Sequence, residues 1–180
     1  MKTPPDRFDL DGVVMRRETA DDAAVVADAI ASNIPRLAPW MEWAVVEAAD
    51  VEAQQARIAD TRRQWDSGTA YDFLVLDAAT DHALGKAGLN RRGDDWLELG
   101  YWLTADAEGH GIMTAVASTL TDIALELHDV SRVEIHCDAA NLRSQAIPRR
   151  LGYRLARVVD HPITTPSQTG RQMIWIYDAS

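Results

Sequence analysis

The 180-residue chain has one cysteine, two phenylalanines and only 18 basic side chains against 28 acidic ones. A single cysteine, Cys137, excludes an internal disulfide and a zinc site built from several thiolates. The shortage of lysine and arginine leaves a net charge of −10. That balance argues against general nucleic-acid binding, which depends on cationic contacts to phosphate, and against docking on anionic membranes. No apolar run approaches the ~18 residues of a membrane span. The opening Met-Lys-Thr-Pro-Pro-Asp-Arg lacks the apolar core of a signal peptide, so the expected location is the cytoplasm. Repeats, low-complexity blocks and long linkers are lacking too. One domain, residues 1–180, is therefore expected, long enough to bury about 70% of its unfolded surface without metal or disulfide.

The acidic excess is uneven. Residues 1–60 carry a net −6, residues 61–130 a net −7, and residues 131–180 a net +3. A positive C-terminal part can hold an anionic ligand; a chance arrangement of solvated charges reads equally well.

Residues 12–17 read as a strand. Residues 21–31 read as a helix with Val25, Val26, Ala29 and Ile30 on one face. Residues 32–44, with two prolines and the tryptophans Trp40 and Trp43, read as an irregular loop that lines a pocket or packs on the core. Asp50 is placed to cap a helix through residue 66, with Val51, Ile58 and Trp65 recurring every seven residues and Gly68 at its end. Residues 71–76, 83–89 and 96–103 form an antiparallel meander. A helix over 112–127 then joins it to a strand at 132–137, which implies a parallel pair. A short helix from Asn141 to about Arg150 and strands at 153–159 and 173–177 complete an α/β chain with a mixed sheet and helices on both faces.

Gly109-His110-Gly111 sits between a strand and a helix. Two glycines let the backbone curl, and the unpaired amides at a helix start attract phosphate. A P-loop would require a lysine, whereas the sequence runs Gly111-Ile112-Met113-Thr114; a dinucleotide fingerprint would require a third glycine at Thr114. Gly100, inside a strand, marks a bulge, a packing contact or a close ligand approach. A bulge there would splay the strand from its parallel neighbour. His136 and Cys137 point to opposite faces and cannot jointly bind a metal, so Cys137 reads as a buried, inert thiol and no metal site is expected.

Five pieces in order carry a resemblance: Glu98-Leu-Gly-Tyr-Trp-Leu103, Glu108-Gly-His-Gly-Ile-Met-Thr114, Val133-Glu-Ile-His-Cys137, Asn141-x-x-Ser144 and Ile147-Pro-Arg-Arg-Leu-Gly-Tyr153. The chain resembles the GNAT acetyltransferases, most strongly over residues 85–159. Together with Leu37-Ala-Pro-Trp40, it is similar to the RimJ/RimL branch, which acetylates protein N-termini, including those of ribosomal proteins.

The resemblance implies the GNAT fold and acetyl-CoA as co-substrate. It implies that Tyr101, Trp102 and Leu103 pair with pantetheine, and that Glu108, Gly109, His110, Gly111, Ile112, Met113 and Thr114 wrap the pyrophosphate. Asn141 and Ser144 then lie beside the acyl-sulfur end, with Arg143, Arg149 and Arg150 nearby. Many superfamily members carry a tyrosine acid four residues before the glycine of Leu-Gly-Tyr; here that position is Pro148. Ser144 is the expected proton donor to, or hydrogen-bond partner of, the departing thiolate. Glu98 is the candidate base, against the plainer reading of an ion pair with Arg91 or Arg92; Asp160, His161 or water are the alternatives.

Trp40, Trp43, Asn90 and Glu98 are the expected acceptor contacts. The implied reaction is direct attack of an amine on the thioester, the acceptor being a protein or peptide N-terminus. The alternatives are a small amine, such as an antibiotic or polyamine, and a non-catalytic CoA-binding protein. A homodimer is left open. Pro148 adds a local expectation: it cannot donate to the Ser144 carbonyl, which is left free or at a kink.

Overall fold

The computed structural model describes residues 3–179. One eight-stranded sheet runs in the order β1-β2-β3-β4-β5-β6-β8-β7. Strands β1 (Arg7–Leu10), β2 (Val13–Arg17), β3 (Ala70–Asp77), β4 (Ala83–Arg91) and β5 (Trp96–Leu103) form the antiparallel part. Helix α4 (Ile112–Leu125) then crosses over to β6 (Arg132–Asp138), which pairs with β5 in parallel. After helix α5 (Leu142–Arg150) the chain forms β7 (Arg154–Asp160) and returns as β8 (Arg171–Asp178) between β6 and β7. The mixed sheet and parallel crossover expected from periodicity are present.

Two differences are local. The first strand is preceded by another, because Phe8 and Leu10 alternate with charged neighbours and pair with Met15 and Val13. The segment 32–44 is not wholly irregular: a one-turn helix, α2 (Ile34–Leu37), starts at the proline-bearing Ile34-Pro-Arg-Leu. Proline fits there because the first turn has no use for its missing N–H.

Helix α1 (Ala23–Ala31) buries Val26 and Ile30 against Val14, Leu74 and Leu76 on one face of the sheet. Helix α3 (Val51–Ser67) lies beside α1; Asp50 caps it, its carboxylate accepting from the Ala53 amide at 3.0 Å, and Gly68 ends it in the left-handed conformation. On the opposite face α4 buries Met113, Val116, Ala117 and Leu120 against Leu97, Leu99, Val133 and Ile135. Thr119, on the same helix, is only half-buried and bonds its hydroxyl to the Ala115 carbonyl.

The parallel pair is short. Its register covers Trp96↔Arg132, Leu97↔Val133 and Glu98↔Glu134, and the strands then part while β5 runs on to Leu103. The splay is there, but not through a bulge at Gly100: the ladder to β4 passes through Gly88↔Gly100 without a shift. Divergence from β6 alone opens the gap.

Candidate active site

The splay leads into a cavity of about 560 Å³. Its walls are Tyr101, Trp102 and Leu103 of β5, the turn Glu108–Thr114 apart from His110, the face of α5 carrying Asn141, Ser144 and Ile147, and Arg36, Leu37, Trp40 and Met41 from α2 and the loop after it. Gly109 and Gly111 both adopt left-handed backbone, with φ of 79° and 78°. Among the described residues no side chain caps the start of α4. Its first amides are therefore free for an anion, with the helix dipole adding roughly half a positive charge. His110 is exposed and does not line the cavity.

One feature of the cradle opposes a phosphate ligand. Glu108 sits in it as a carboxylate, neutralised by Arg36 and by Arg143 at 2.8 Å. Arg36 is positioned by Asn33, whose side chain bridges the Ala29 carbonyl and the Ala105 amide, each at 2.8 Å, tying the start of α2 to the turn after β5. Of the three arginines expected near the cofactor, Arg143 and Arg150 line the cavity. Arg149 does not; it bonds Gln145 and lies over the Trp175 ring at 5.4 Å.

At the inner end, Asn141 caps α5, its side chain accepting from the Ser144 amide at 3.1 Å. The Ser144 carbonyl, denied its helical partner by Pro148, accepts instead from the Tyr101 hydroxyl at 3.1 Å. The two hydroxyl oxygens of Tyr101 and Ser144 are 3.4 Å apart. Burial pushes the Tyr101 phenol well above its ordinary range, despite the opposing hydrogen bond of Ser144, so it stays protonated at neutral pH. Cys137 is buried beside Ser144, and burial raises its thiol above the ordinary value, which keeps it a poor nucleophile.

A second cavity, about 400 Å³, lies on the α1 face of the sheet. It shares Met41, Tyr101 and Trp102 with the first, so the two meet at β5. Trp43 and Asn90 line it, and Trp43 packs against Trp102 with ring centroids 5.9 Å apart. Trp40 belongs to the first cavity. Glu98 lines neither; it is about a quarter exposed and its carboxylate takes the Arg92 Nε–H at 2.8 Å.

The polar end of the second cavity was not singled out by sequence. Lys86, 8% exposed, reaches Glu18 at 2.9 Å and Asp72 at 3.1 Å; Arg57 reaches the same two carboxylates at 2.6 and 3.4 Å. The available signal was a lysine in an otherwise apolar and glycine-rich strand, Ala83-Leu-Gly-Lys-Ala-Gly-Leu89. Arg36 had no comparable signal.

A splayed strand, an uncapped helix behind two left-handed glycines and a cavity at their junction define a coenzyme A-dependent acyltransferase site. The chain belongs to the GNAT acetyltransferase family: the family model for the acetyltransferase (GNAT) domain matches residues 13–154. The putative ribosomal N-acetyltransferase YdaF of Bacillus subtilis (strain 168) is 30% identical over 147 residues, 78% of this chain and 77% of that protein. Among solved structures, the ribosomal-protein-S5-alanine acetyltransferase of Vibrio fischeri superposes with a TM-score of 0.88 at 18% identity, covering 96% of both chains. RimL, a ribosomal L7/L12 α-N-protein acetyltransferase in complex with coenzyme A, gives 0.85 at 17% identity over 93% of this chain and 94% of that one.

The residues present fit acetyl-CoA, the co-substrate of this family. The uncapped α4 amides and left-handed glycines suit a pyrophosphate, and the open backbone of β5 beyond Glu98 suits the amide-bearing pantetheine arm.

Proposed function

We propose that this chain transfers the acetyl group of acetyl-CoA to the N-terminal α-amine of a protein, of the kind found on ribosomal proteins, in the cytoplasm. The observation that carries the reading is the meeting of two cavities at Met41, Tyr101 and Trp102. One is built for a long anionic thioester, and the other approaches the same strand from the opposite face. The names of YdaF and RimL support the choice of acceptor.

In this reading the neutral amine attacks the thioester carbonyl, the carbon–sulfur bond breaks, and sulfur leaves as a thiolate. Ser144 supplies a proton or hydrogen bond to that sulfur, with the protonated Tyr101 phenol next to it. Backbone amides freed where β5 leaves β6 are placed to stabilise the oxyanion. Glu98 takes the amine's proton through water, since its carboxylate lies outside both cavities and against Arg92.

A polyamine acceptor is less well supported. The carboxylates at the polar end of the second cavity are matched by Lys86 and Arg57, which leaves no surplus negative charge for a polycation. Thiol release from acetyl-CoA, measured with N-terminal peptides and with small amines, tests the reading. Turnover with spermidine or an aminoglycoside, and none with any peptide, overturns it.

A further inference from the structure

Gly100 has no structural reason to be glycine. Its backbone is not in the left-handed region, and a Cβ built on it meets nothing within 4 Å. It lies inside β5, where a glycine weakens a strand. Its own side of the sheet opens on the second cavity.

The next strand repeats the pattern. Gly88 of β4 is the register partner of Gly100, and Asp72 of β3 is the partner of Gly88. Any side chain at Gly88 would overlap the Asp72 carboxylate, so that glycine lets the carboxylate lie flat over the sheet. The floor is therefore bare at Gly100 and is covered at Gly88 by the Asp72 carboxylate, with Lys86 beside it. With strands ~4.8 Å apart, the bare part is about 5 Å long, the length of one to two extended residues. Its walls are Trp43 and Trp102.

The end of this lane offers both halves of a hydrogen-bonding pair. The Oδ2 of Asp72 takes Lys86 and Arg57, while its Oδ1 accepts no hydrogen bond among the described residues. Lys86 spends two of its three N–H donors, on Glu18 and Asp72. The four charges Glu18, Asp72, Lys86 and Arg57 cancel. A neutral donor–acceptor pair complements a peptide group, which brings one N–H and one C=O, and is a poor match for a lone ammonium.

We propose that the lane over Gly100 holds the first two residues of the acceptor polypeptide in extended form, with Asp72 and Lys86 reading a peptide group at its far end. The lane rests on the reading of the acceptor as a protein N-terminus, and it adds which residues recognise that chain and that they read its backbone.

The test compares wild type, Gly100→Ala and Gly100→Val on tetrapeptide amides beginning with serine or alanine, with the matching single-residue amides as controls. Wild type should prefer the tetrapeptides by about 30-fold in kcat/KM. Gly100→Val should lower kcat/KM for the tetrapeptides about 100-fold, and Gly100→Ala less, because the new side chain stands in the lane. CoA binding, measured calorimetrically, should stay within about twofold, which also reports that the variants are folded. Replacing the second- or third-residue amide by an ester should cost wild type about tenfold.

A Gly100→Val enzyme that acetylates tetrapeptides like wild type overturns the lane, as does a parallel loss of CoA binding, which would assign Gly100 to the cofactor. Esters that react as fast as amides overturn the peptide-group recognition. A wild-type enzyme that acetylates amines but no peptide overturns the reading of the acceptor itself, and is seen without any variant.

Discussion

Replacing Tyr101 by phenylalanine removes one oxygen and leaves the Ser144 carbonyl without its donor. The carbonyl is there to be satisfied only because Pro148, four residues on in α5, has no N–H to give. A partly buried carbonyl stripped of its partner costs about 1–3 kcal/mol. For a chain of this length that is a fall in Tm of about 2–12 °C. The same argument predicts a rescue. Pro148→Ala restores the missing N–H, so in that background Tyr101→Phe should cost only about 0.5–1 kcal/mol. The general gain in helix stability from removing proline appears in both arms of the cycle and cancels, leaving a coupling of about 1 kcal/mol. Urea denaturation of the four proteins, with unchanged m-values, measures it. An equal cost of Tyr101→Phe with proline and with alanine at 148 would refute the claim that the phenol stands in for the lost helical bond.

Three further outcomes are expected. Glu108→Gln removes the carboxylate from the phosphate cradle and frees Arg36 and Arg143, so CoA should bind several-fold tighter at about 0.05 M salt and lose that advantage near 1 M, where charges are screened within ~3 Å. Weaker binding by calorimetry at low salt would instead make Glu108 an organiser of the loop. Ser144→Ala should lower kcat roughly 100-fold with little change in the KM for acetyl-CoA, and the loss should shrink for a thioester of a more acidic thiol. A loss independent of the leaving group would exclude Ser144 as the proton donor. Burial works against ionisation of Asp22, but hydrogen bonds from Arg16 at 2.6 and 2.8 Å and from Thr19 outweigh it and hold its carboxyl below the ordinary range. A depressed folded pKa gives stability that is complete above about pH 4 and lost as pH falls through the lower, folded value. Asp22→Asn should therefore be less stable at pH 7 and show a shallower acid limb in thermal melts between pH 5 and 2; identical limbs would remove this pair from the account.

What sequence made legible was local. The periodicity of β3 to β5 and α4, the glycines ahead of α4, and the proline in α5 each act within a few residues, and the fold obeys them. The first hairpin escaped notice because Phe8 and Leu10 alone carry its apolar alternation. The position of β8 between β6 and β7 follows from pairing that no local pattern encodes. At the site, Gly109, Gly111, Asn141 and Ser144 were visible through their fixed spacing. Arg36, Asp72 and Lys86 act through partners distant in the chain: Lys86 meets Glu18 across 68 positions and Arg36 meets Glu108 across 72. Charge counting saw the acidic excess but could not see that the carboxylates of the second cavity come already paired with cations.

The roof of the first cavity is fastened from the far end of the chain. The Pro39 carbonyl, next to Trp40, accepts from the Thr165 hydroxyl at 2.8 Å and from the Ser167 amide at 3.1 Å. Asp138, at the end of β6, fixes the same loop through Thr169, whose amide and hydroxyl each donate to it at 2.9 Å. A nascent chain that has already made the phosphate turn and Ser144 still lacks this fastening and the β8 strand beside β6. Residues 165–178, made after the phosphate turn and Ser144, thus hold the wall of the first cavity that carries Trp40.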